Sequence, residues 1–254
     1  MSEENQTEEN QTIVKIETNM ATLRKIIDEI GAVNDEAKFR FMRTGIGVNV
    51  VDPAHVLMLE MAIPNTTLDK YWTDMNAERI HEIGLDIDKL KALYEGLPKS
   101  KWAATPVSIE LTERRITTEV AGAIRESDTV DTANMPDPKI PTLNLSHAAE
   151  VSADEVLDAI KSCKKISQHL GIDIEPEGVT VHTFGKDSSK FRKTLESKHR
   201  KGEGTAKSLY SIDYLENIFR TLAGEEVVIQ LSSDYPIVIS HDHGRFLMAP
   251  RLEA

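Results

Sequence analysis

Two short motifs occur twice in this chain, in the same order and at nearly equal spacing. The segment IDKLKALYEGL begins at Ile87, and IDYLENIFRTL begins at Ile212, 125 positions later. The segment GVNVV begins at Gly47, and GVTVH begins at Gly178, 131 positions later. Ordered self-similarity of this kind indicates an internal duplication, so the chain is predicted to contain two domains of one plan.

Hydrophobic periodicity supports this division. Each half contains apolar residues at helical spacing, as in ATLRKIIDEIG and ADEVLDAIKSCKKISQHL, between short runs typical of strands. Residues 127–142 contain three prolines and little periodicity, which predicts an extended connector. We therefore predict an α+β protein with a disordered tail at 1–12, an N-terminal domain at 13–126, the connector at 127–142 and a C-terminal domain at 143–254.

Charge and cysteine content restrict the class of protein. The chain has 42 acidic and 30 basic residues and a formal net charge of −12, which argues against indiscriminate binding to nucleic acid. The single cysteine, Cys163, excludes an intrachain disulfide and a cysteine-based zinc cluster. The first dozen residues lack the basic start and apolar middle of a signal peptide. We expect a cytoplasmic protein with no membrane segment.

A cluster of lysines contrasts with this acidic balance. Lys161, Lys164 and Lys165 share one arc of a predicted helix, opposite an apolar arc that includes Ile160 and Cys163. The simplest interpretation is a solvated face, because acids open this helix and bases close it, as the helix dipole favours. The alternative is a surface that contacts phosphates, which needs only a few bases per subunit if subunits repeat it.

An enzyme is the main alternative class. His241-Asp242-His243 could provide two metal ligands and a carboxylate, but the following Gly244 between two strand-like runs favours a hairpin turn. The sequence contains no P-loop, no Gly-x-Ser-x-Gly motif and no zinc-type Cys/His set. We therefore expect no catalytic residue, no metal and no cofactor.

The C-terminal strands carry a more specific signal. The segments SLYSIDYLENIFRTL, VVIQLSSDYPIVI and GRFLMAPRLE, in this order, resemble the C-terminal half of the proliferating cell nuclear antigen (PCNA) family of sliding clamps, and its archaeal members in particular. Earlier, GVNVVDPAHVLMLEM matches the family's strand–Asp–x–x–His–strand segment. The resemblance extends from Ile13 to the end of the chain. It implies a DNA clamp fold, in which each of two similar domains has two helices packed on antiparallel sheets and three subunits close into a ring around duplex DNA.

The resemblance also implies a role for the polar helix faces. In the family they line the hole of the ring and face the phosphate backbone without sequence preference. The matching residues here are Arg24, Lys25, Lys89, Lys91, Lys161, Lys164, Lys165 and Arg220. The acids Asp28, Glu95 and Asp213 lie on the same helices, so the contribution of each base stays open.

Ring closure in the family joins an edge strand of one subunit to an edge strand of the next. The resemblance places these strands at Arg115–Gly122 and Gly178–Phe184. The expected interface residues are Ile116, Thr118, Val120, Val179 and Val181. Without the resemblance, pairing of these strands inside one subunit is the simpler interpretation.

The resemblance implies a groove for the tails of DNA polymerase, clamp loader, ligase and nuclease. The matching residues are Val51, His55, Met58, Ile140, Leu143, Pro236, Ala249, Pro250 and Leu252. One departure is the segment Gly185–Gly202, which has seven Lys or Arg residues where the family has a less basic hairpin. We expect a solvated, mobile hairpin there, and a DNA contact at one face of the ring is the alternative.

Taken with the resemblance, these features predict a homotrimeric DNA sliding clamp of archaeal type that acts in replication and repair. The alternative function is a protein-interaction scaffold, or a subunit of a mixed ring, that does not encircle DNA by itself.

Overall fold

The computed structural model describes residues 11–74, 80–133, 135 and 137–252. Most of the predicted tail at 1–12 lies outside these residues. The chain forms two compact units, one made of Met1–Val51 with Glu60–Pro138 and the other of Asp52–Leu59 with Lys139–Ala254. The first unit therefore includes much of the predicted connector. The predicted domain limits at residues 126 and 143 stay a prediction.

Strands and two helices make up the first unit. The strands are β1 (Val14–Asn19), β2 (Glu36–Met42), β3 (Gly45–Val51), β4 (Leu57–Pro64), β5 (Lys70–Thr73), β6 (His81–Asp86), β7 (Pro106–Leu111), β8 (Arg115–Val120) and β9 (Ala123–Asp128). The helices are α1 (Met20–Gly31) and α2 (Ile87–Lys91), with 3₁₀ turns at Asn65–Thr67 and Lys99–Ala104. The start of β4 belongs to the second unit.

The second unit has the same element order as the first: one helix directly follows its first strand, and a second helix follows a later strand. Its strands are β10 (His147–Ser152), β11 (His169–Glu175), β12 (Gly178–Phe184), β13 (Lys190–Leu195), β14 (Lys198–Lys201), β15 (Ala206–Ser211), β16 (Glu226–Leu231), β17 (Ile237–His241) and β18 (Gly244–Met248). Its helices are α3 (Ala153–Lys164) and α4 (Ile212–Thr221). This fold agrees with the predicted α+β class.

Each unit contains two sets of neighbouring strands. In the first unit the orders are β5-β1-β7-β8-β9 and β4-β3-β2-β6. In the second unit they are β13-β12-β11-β15 and β14-β10-β16-β17-β18. Antiparallel pairing joins β7 to β8, β8 to β9, β11 to β12 and β12 to β13. Strands β9 and β13 therefore each lie at one end of a sheet in the described part of the chain.

Two glycines at strand starts mark the duplication more closely than the sequence motifs do. Gly45 begins β3 with φ +142°, and Gly178 begins β12 with φ +147°. A Cβ at Gly45 would lie 2.0 Å from the carbonyl oxygen of Ile63, and a Cβ at Gly178 would lie 2.4 Å from that of Leu195. Both positions therefore need glycine. The structural counterpart of Gly178 is Gly45, not Gly47.

Helix α1 is stabilised by a capping residue at its N-terminus and by an apolar face that packs against the core. The side chain of Asn19 caps α1 by accepting the N–H of Thr22 at 3.0 Å. Leu23, Ile26 and Ile30 then face the core and are buried. Burial of each such side chain stabilises the fold by roughly 1.5–3 kcal/mol. The second predicted helix, Ile87–Leu97, is shorter than expected, because after Lys91 the chain continues in turns.

The sheet order corrects the predicted subunit interface. Strand β8 pairs with β7 and β9, and β12 pairs with β11 and β13, so neither is an edge strand. The residues expected at the interface, Ile116, Thr118, Val120, Val179 and Val181, are all buried within their own unit. The edge-strand prediction was wrong because an inward-facing apolar alternation looks the same in an interior strand and in an edge strand.

The basic segment Gly185–Gly202 does not form the expected hairpin. Strand β13 pairs with β12, whereas β14 pairs with β10 in a different sheet. The hairpin predicted around Asp242 is confirmed, since His241 pairs with Gly244 across the turn. Among the described residues, no group of His, Cys, Asp and Glu side chains could hold a metal ion. None of the described helices is long and apolar enough to cross a membrane.

Candidate nucleic-acid interface and partner groove

The lysine stripe of α3 lies on the surface of the second unit. Lys161, Lys164 and Lys165 are exposed, while Ile160 and Cys163 on the opposite arc are fully buried. Burial raises the pKa of the Cys163 thiol to about 11, so this cysteine is an inert core residue. The predicted division of α3 into an apolar and a basic face is therefore confirmed.

A buried carboxylate on α4 ties the bases of the second unit together. Glu216 is 6% exposed, and its Oε2 accepts a hydrogen bond from Lys164 Nζ at 2.6 Å. Lys164 Nζ also lies 2.9 Å from Asp213, and Arg220 donates to Glu216 Oε1. The hydrogen bond from Lys164 lowers the pKa of Glu216, and Glu216 in turn raises the pKa of Lys164. Glu216 therefore holds α3 to α4.

The bases of the first unit are held in a different way. Arg24 pairs with Asp28 at 2.7 Å, and its guanidinium carbon lies 4.2 Å from the centre of the Trp102 ring. Tyr94 donates its hydroxyl hydrogen to Asp28 at 2.6 Å. Burial raises the pKa of Tyr94, and the neighbouring Asp28 adds to the rise. Arg24 is thus fixed by aromatic and acidic neighbours.

Three more of the predicted bases have acidic neighbours. Lys89 lies 3.4 Å from Asp86, and Lys91 lies 3.0 Å from Asp88. Lys161 lies 3.4 Å from Asp158, whereas Lys165 has no ion pair within the described ranges. Lys25 is half-buried. The polar helix faces therefore carry basic side chains, but neighbouring carboxylates neutralise most of their positive charge.

The loop between β3 and β4 is built around Asp52. This buried carboxylate accepts hydrogen bonds from the N–H groups of Ala54 at 3.1 Å, Val56 at 2.7 Å and Leu57 at 2.7 Å. His55 between them has φ +57° and is exposed. The side chain of Asp52 therefore fixes a left-handed loop that presents His55.

A tyrosine on α4 provides a further hydrogen-bond donor to the Asp52 carboxylate. Tyr214 donates its hydroxyl hydrogen to Asp52 Oδ2 at 2.9 Å. Burial alone would raise the pKa of Asp52, but the hydrogen bonds from Leu57, Tyr214 and the other donors outweigh it and lower the pKa. Helix α4 thus contacts the Asp52 loop and also carries Glu216.

The C-terminal residues run beside this loop. The Ala249 N–H donates to the carbonyl of Val56 at 2.9 Å, and the Arg251 N–H donates to the carbonyl of Leu209 at 2.7 Å. Ala249 and Pro250 are half-buried, and Leu252 is 69% exposed. The tail therefore passes the Asp52 loop at Ala249, and its exposed Leu252 lies beside Lys164 and Phe184, with which it lines one pocket.

The structure divides the predicted groove residues between the two units. Val51 is buried in the first unit, where its carbonyl accepts a hydrogen bond from the Asn34 side chain at 3.0 Å. The others lie in the second unit: His55, Met58, Ile140, Leu143, Pro236, Ala249, Pro250 and Leu252. His55 is brought together with the tail through the Val56–Ala249 hydrogen bond, whereas Ile140 in the connector and Leu143 just after it are half-buried.

Sequence reasoning did not select Asp52 or Tyr214 as site residues. The Asp-x-x-His pattern was a signal for Asp52, because such an aspartate typically caps the turn that follows it. Nothing local identifies Tyr214, which lies 162 positions from Asp52.

Comparison with known proteins now adds to this geometry. Residues 14–95 match the model of the proliferating cell nuclear antigen N-terminal domain. The DNA polymerase sliding clamp of Methanoregula boonei is 29% identical over 91% of this chain and 95% of its own length. That of Thermoplasma volcanium is 24% identical over 95% of this chain and all of its own length. Over most of its length the chain is therefore similar to proteins of the proliferating cell nuclear antigen family.

Solved structures of PCNA proteins share the fold. The structure from Thermococcus kodakaraensis superimposes with a TM-score of 0.82 at 25% identity, over 94% of this chain and 100% of that one. The Archaeoglobus fulgidus protein, solved with the C-terminal region of FEN-1 bound, has a TM-score of 0.84 at 23% identity over 95% of this chain. The resemblance that the sequence motifs predicted is therefore confirmed, and it is to PCNA of archaeal type.

Proposed function

We propose that three copies of this DNA sliding clamp close into a ring that encircles duplex DNA and tethers replication and repair enzymes. The observation that carries this proposal is the duplicated plan. Each unit exposes bases on a pair of helices, and each has a sheet that ends in an open strand, β9 or β13. An open edge invites pairing with another chain, and two different open edges allow a closed head-to-tail ring.

The charges suit sliding better than tight binding. Bases on the helix faces would meet phosphate oxygens, which carry no sequence information. Because most of these bases already have acidic neighbours, each one contributes only a weak attraction. The net charge of −12 discourages DNA from binding elsewhere on the surface. The DNA is then held mainly because the ring encloses it.

A charge-removal variant tests the DNA-facing surface. In Lys161→Ala, Lys164→Ala, Lys165→Ala we expect faster loss of the clamp from circular duplex DNA as salt rises. The salt dependence of log affinity should become shallower by up to about 0.9 for each lost phosphate contact. The matched control, Lys15→Ala, Lys70→Ala, Lys207→Ala, removes the same charge from strands. Equal retention of both variants would contradict the proposal.

We further infer that partner tails bind beside the Asp52 loop. The Archaeoglobus fulgidus relative was solved with a C-terminal region of FEN-1, and the tail of this chain has half-buried Ala249 and Pro250 and exposed Leu252. Ala249→Glu with Leu252→Glu should abolish binding of a polymerase-tail peptide and stimulation of the polymerase. The control Val228→Glu alters an exposed apolar residue on β16. Unchanged binding in the tail variant would contradict the groove assignment.

The family acts as a non-catalytic processivity factor, and we infer that this chain has no turnover of its own and works in the cytoplasm. The alternative, a scaffold or mixed-ring subunit, predicts a different mass in solution. A self-sufficient ring should sediment at about three times the 28.4 kDa of one chain. A stable monomer at all concentrations would favour the alternative.

A further inference from the structure

A large pocket in the second unit is lined by bases that have no acidic partner. It has a volume of about 1110 Å³ and lies where the end of α3, the turn after β12 and the C-terminal tail meet. Lys165, Lys186 and Arg251 line it, and all three are exposed and have no ion pair among the described residues. The pocket is therefore a positive site on a chain whose net charge is −12.

Two further charged side chains at this pocket are already engaged. Lys164 lies 2.6 Å from Glu216 and 2.9 Å from Asp213, so its charge is neutralised. Asp187, the one acidic residue lining the pocket in the described part of the chain, accepts a hydrogen bond from the Ser189 N–H at 3.1 Å. Asp187 thus closes the turn that carries Lys186, and it offsets one of the three unpaired bases.

The pocket also contains the two most exposed large hydrophobic side chains of the described residues. Phe184 is 70% exposed and Leu252 is 69% exposed, and both line this pocket. The Phe184 ring is oriented by an edge contact with His182, with ring centres 5.7 Å apart. Large apolar side chains that share one exposed site mark a binding surface.

This combination of side chains selects among anionic ligands. A duplex presents phosphates and sugars to such a surface, which would leave Phe184 and Leu252 without an apolar partner. Single-stranded nucleic acid stacks successive bases on several aromatic rings. Phe184 is the only phenylalanine, tyrosine or tryptophan among the described residues that line the pocket. A peptide that carries both carboxylates and an apolar side chain satisfies the bases and the apolar residues together.

The size of the pocket also favours a peptide. Sites for single small molecules have volumes of roughly 300–1,000 Å³ and enclose most of the ligand. This pocket exceeds that range, and its bases come from three separate segments of the second unit. An extended segment of several residues can reach all three, whereas one small anion cannot.

We propose that this pocket binds a short acidic segment of a partner protein, with carboxylates on Lys186 and Arg251 and an apolar side chain between Phe184 and Leu252. This inference rests on the proposed binding of partner tails beside the Asp52 loop. The tail of this chain runs from Ala249 at that loop to Leu252 at the pocket, so one partner tail can occupy both sites. The second contact is then intramolecular and adds to the affinity of the first.

Extended peptides test the inference. A polymerase-tail peptide is compared with versions that carry Glu-Phe-Glu-Glu at one end or at the other, by fluorescence polarisation. At low salt, one of the two extensions should tighten binding about fivefold, because exposed ion pairs contribute modestly. The gain should fall as salt rises. The same extensions with lysine in place of glutamate should give no gain.

Variants of the pocket locate the effect. Lys186→Glu and Phe184→Ser should each reduce the gain to less than twofold and leave binding of the unextended peptide unchanged. The matched controls are Lys193→Glu, which reverses an exposed charge on β13 outside the pocket, and Val228→Ser, which removes an exposed apolar side chain on β16. Both controls should keep the gain. Circular dichroism verifies that each variant is folded.

The outcomes separate this inference from the proposed function. If the unextended peptide binds and neither extension adds affinity, the inference is overturned and the partner groove stands. If no peptide binds the wild type, the proposed partner binding fails and the inference fails with it. A gain that persists in Lys186→Glu and Phe184→Ser places the acidic segment elsewhere and contradicts the inference. If a thymidine octanucleotide binds the wild type, loses affinity in Lys186→Glu and displaces the extension, the pocket is a nucleic-acid site, and the inference is wrong.

Discussion

The helix pairs of the two units hold their basic side chains with different contacts. In the first unit, Arg24 is held against Trp102 and Asp28, and the helix that contacts α1, α2, has five residues. In the second unit, two full helices are joined through the buried Glu216. A duplicated plan therefore preserves the position of the polar faces, while the contacts that hold them have diverged.

The largest difference in thermal stability between variants of the two units should come from removing the basic partners of Glu216. Lys164→Ala with Arg220→Ala leaves a buried carboxylate without its two bases, which is strongly destabilising. We expect Tm to fall by several degrees, and by more than in the matched first-unit variant Arg24→Ala with Lys91→Ala. Differential scanning calorimetry measures both. An equal fall in the two variants would show that the two helix pairs are held equally.

The second prediction concerns the other contact of α4. Tyr214→Phe removes the hydroxyl that donates to Asp52, at a cost of about 1 kcal/mol, and loosens the loop that presents His55. We expect weaker binding of a polymerase-tail peptide, measured by calorimetry, with DNA retention unchanged. Tyr94→Phe, the corresponding deletion in the first unit, should not affect peptide binding. If both variants bind the peptide like the wild type, α4 has no role in positioning the groove.

The third prediction uses pH to isolate Glu216. Its pKa is lowered in the folded state, so its stabilisation is present above the unfolded value of about 4.3 and is lost as pH falls through the folded value. The Tm difference between wild type and Glu216→Gln should therefore shrink as pH falls from about 6 to below 4. A difference that stays constant with pH would mean that packing, not charge, explains the effect.

The smallest effect is expected at Trp102. Trp102→Leu removes the ring beneath Arg24, a contact of about 0.5–1 kcal/mol at a partly exposed site, but Asp28 still pairs with the arginine. Tm should fall by a degree or two. Retention on DNA should rise slightly, because the guanidinium gains freedom to reach phosphates. Reduced retention would show that the aromatic contact orients Arg24 for DNA.

Local signals predicted much of the fold. The alternation of apolar residues located α1 and α3, and the Asp242–Gly244 turn identified a hairpin that the structure confirms. Strand order was beyond these signals, because the pairing of β8 and β12 on both sides depends on residues elsewhere in the chain. The lysine-rich segment that forms β13 also looked like a solvated hairpin, since its apolar residues are few.

The polar face of α3 was predicted from the sequence, whereas the contacts of its side chains were not. A helical wheel places Lys164 on a polar face, and no pattern along the sequence reveals that Glu216, 52 positions away, is buried beside it. The same holds for Tyr214 and Asp52. Contacts between distant residues arise only when the two helices pack, so they need the folded structure.

The two contacts of Lys164 have a consequence for how a clamp of this kind travels. Any phosphate that approaches this amine competes with Glu216 and Asp213, which return to it as soon as the phosphate moves on. Each encounter is brief because the resting partner is always within reach. In the proposed ring, such short-lived contacts would let the clamp move along DNA, because no single ion pair to a phosphate persists.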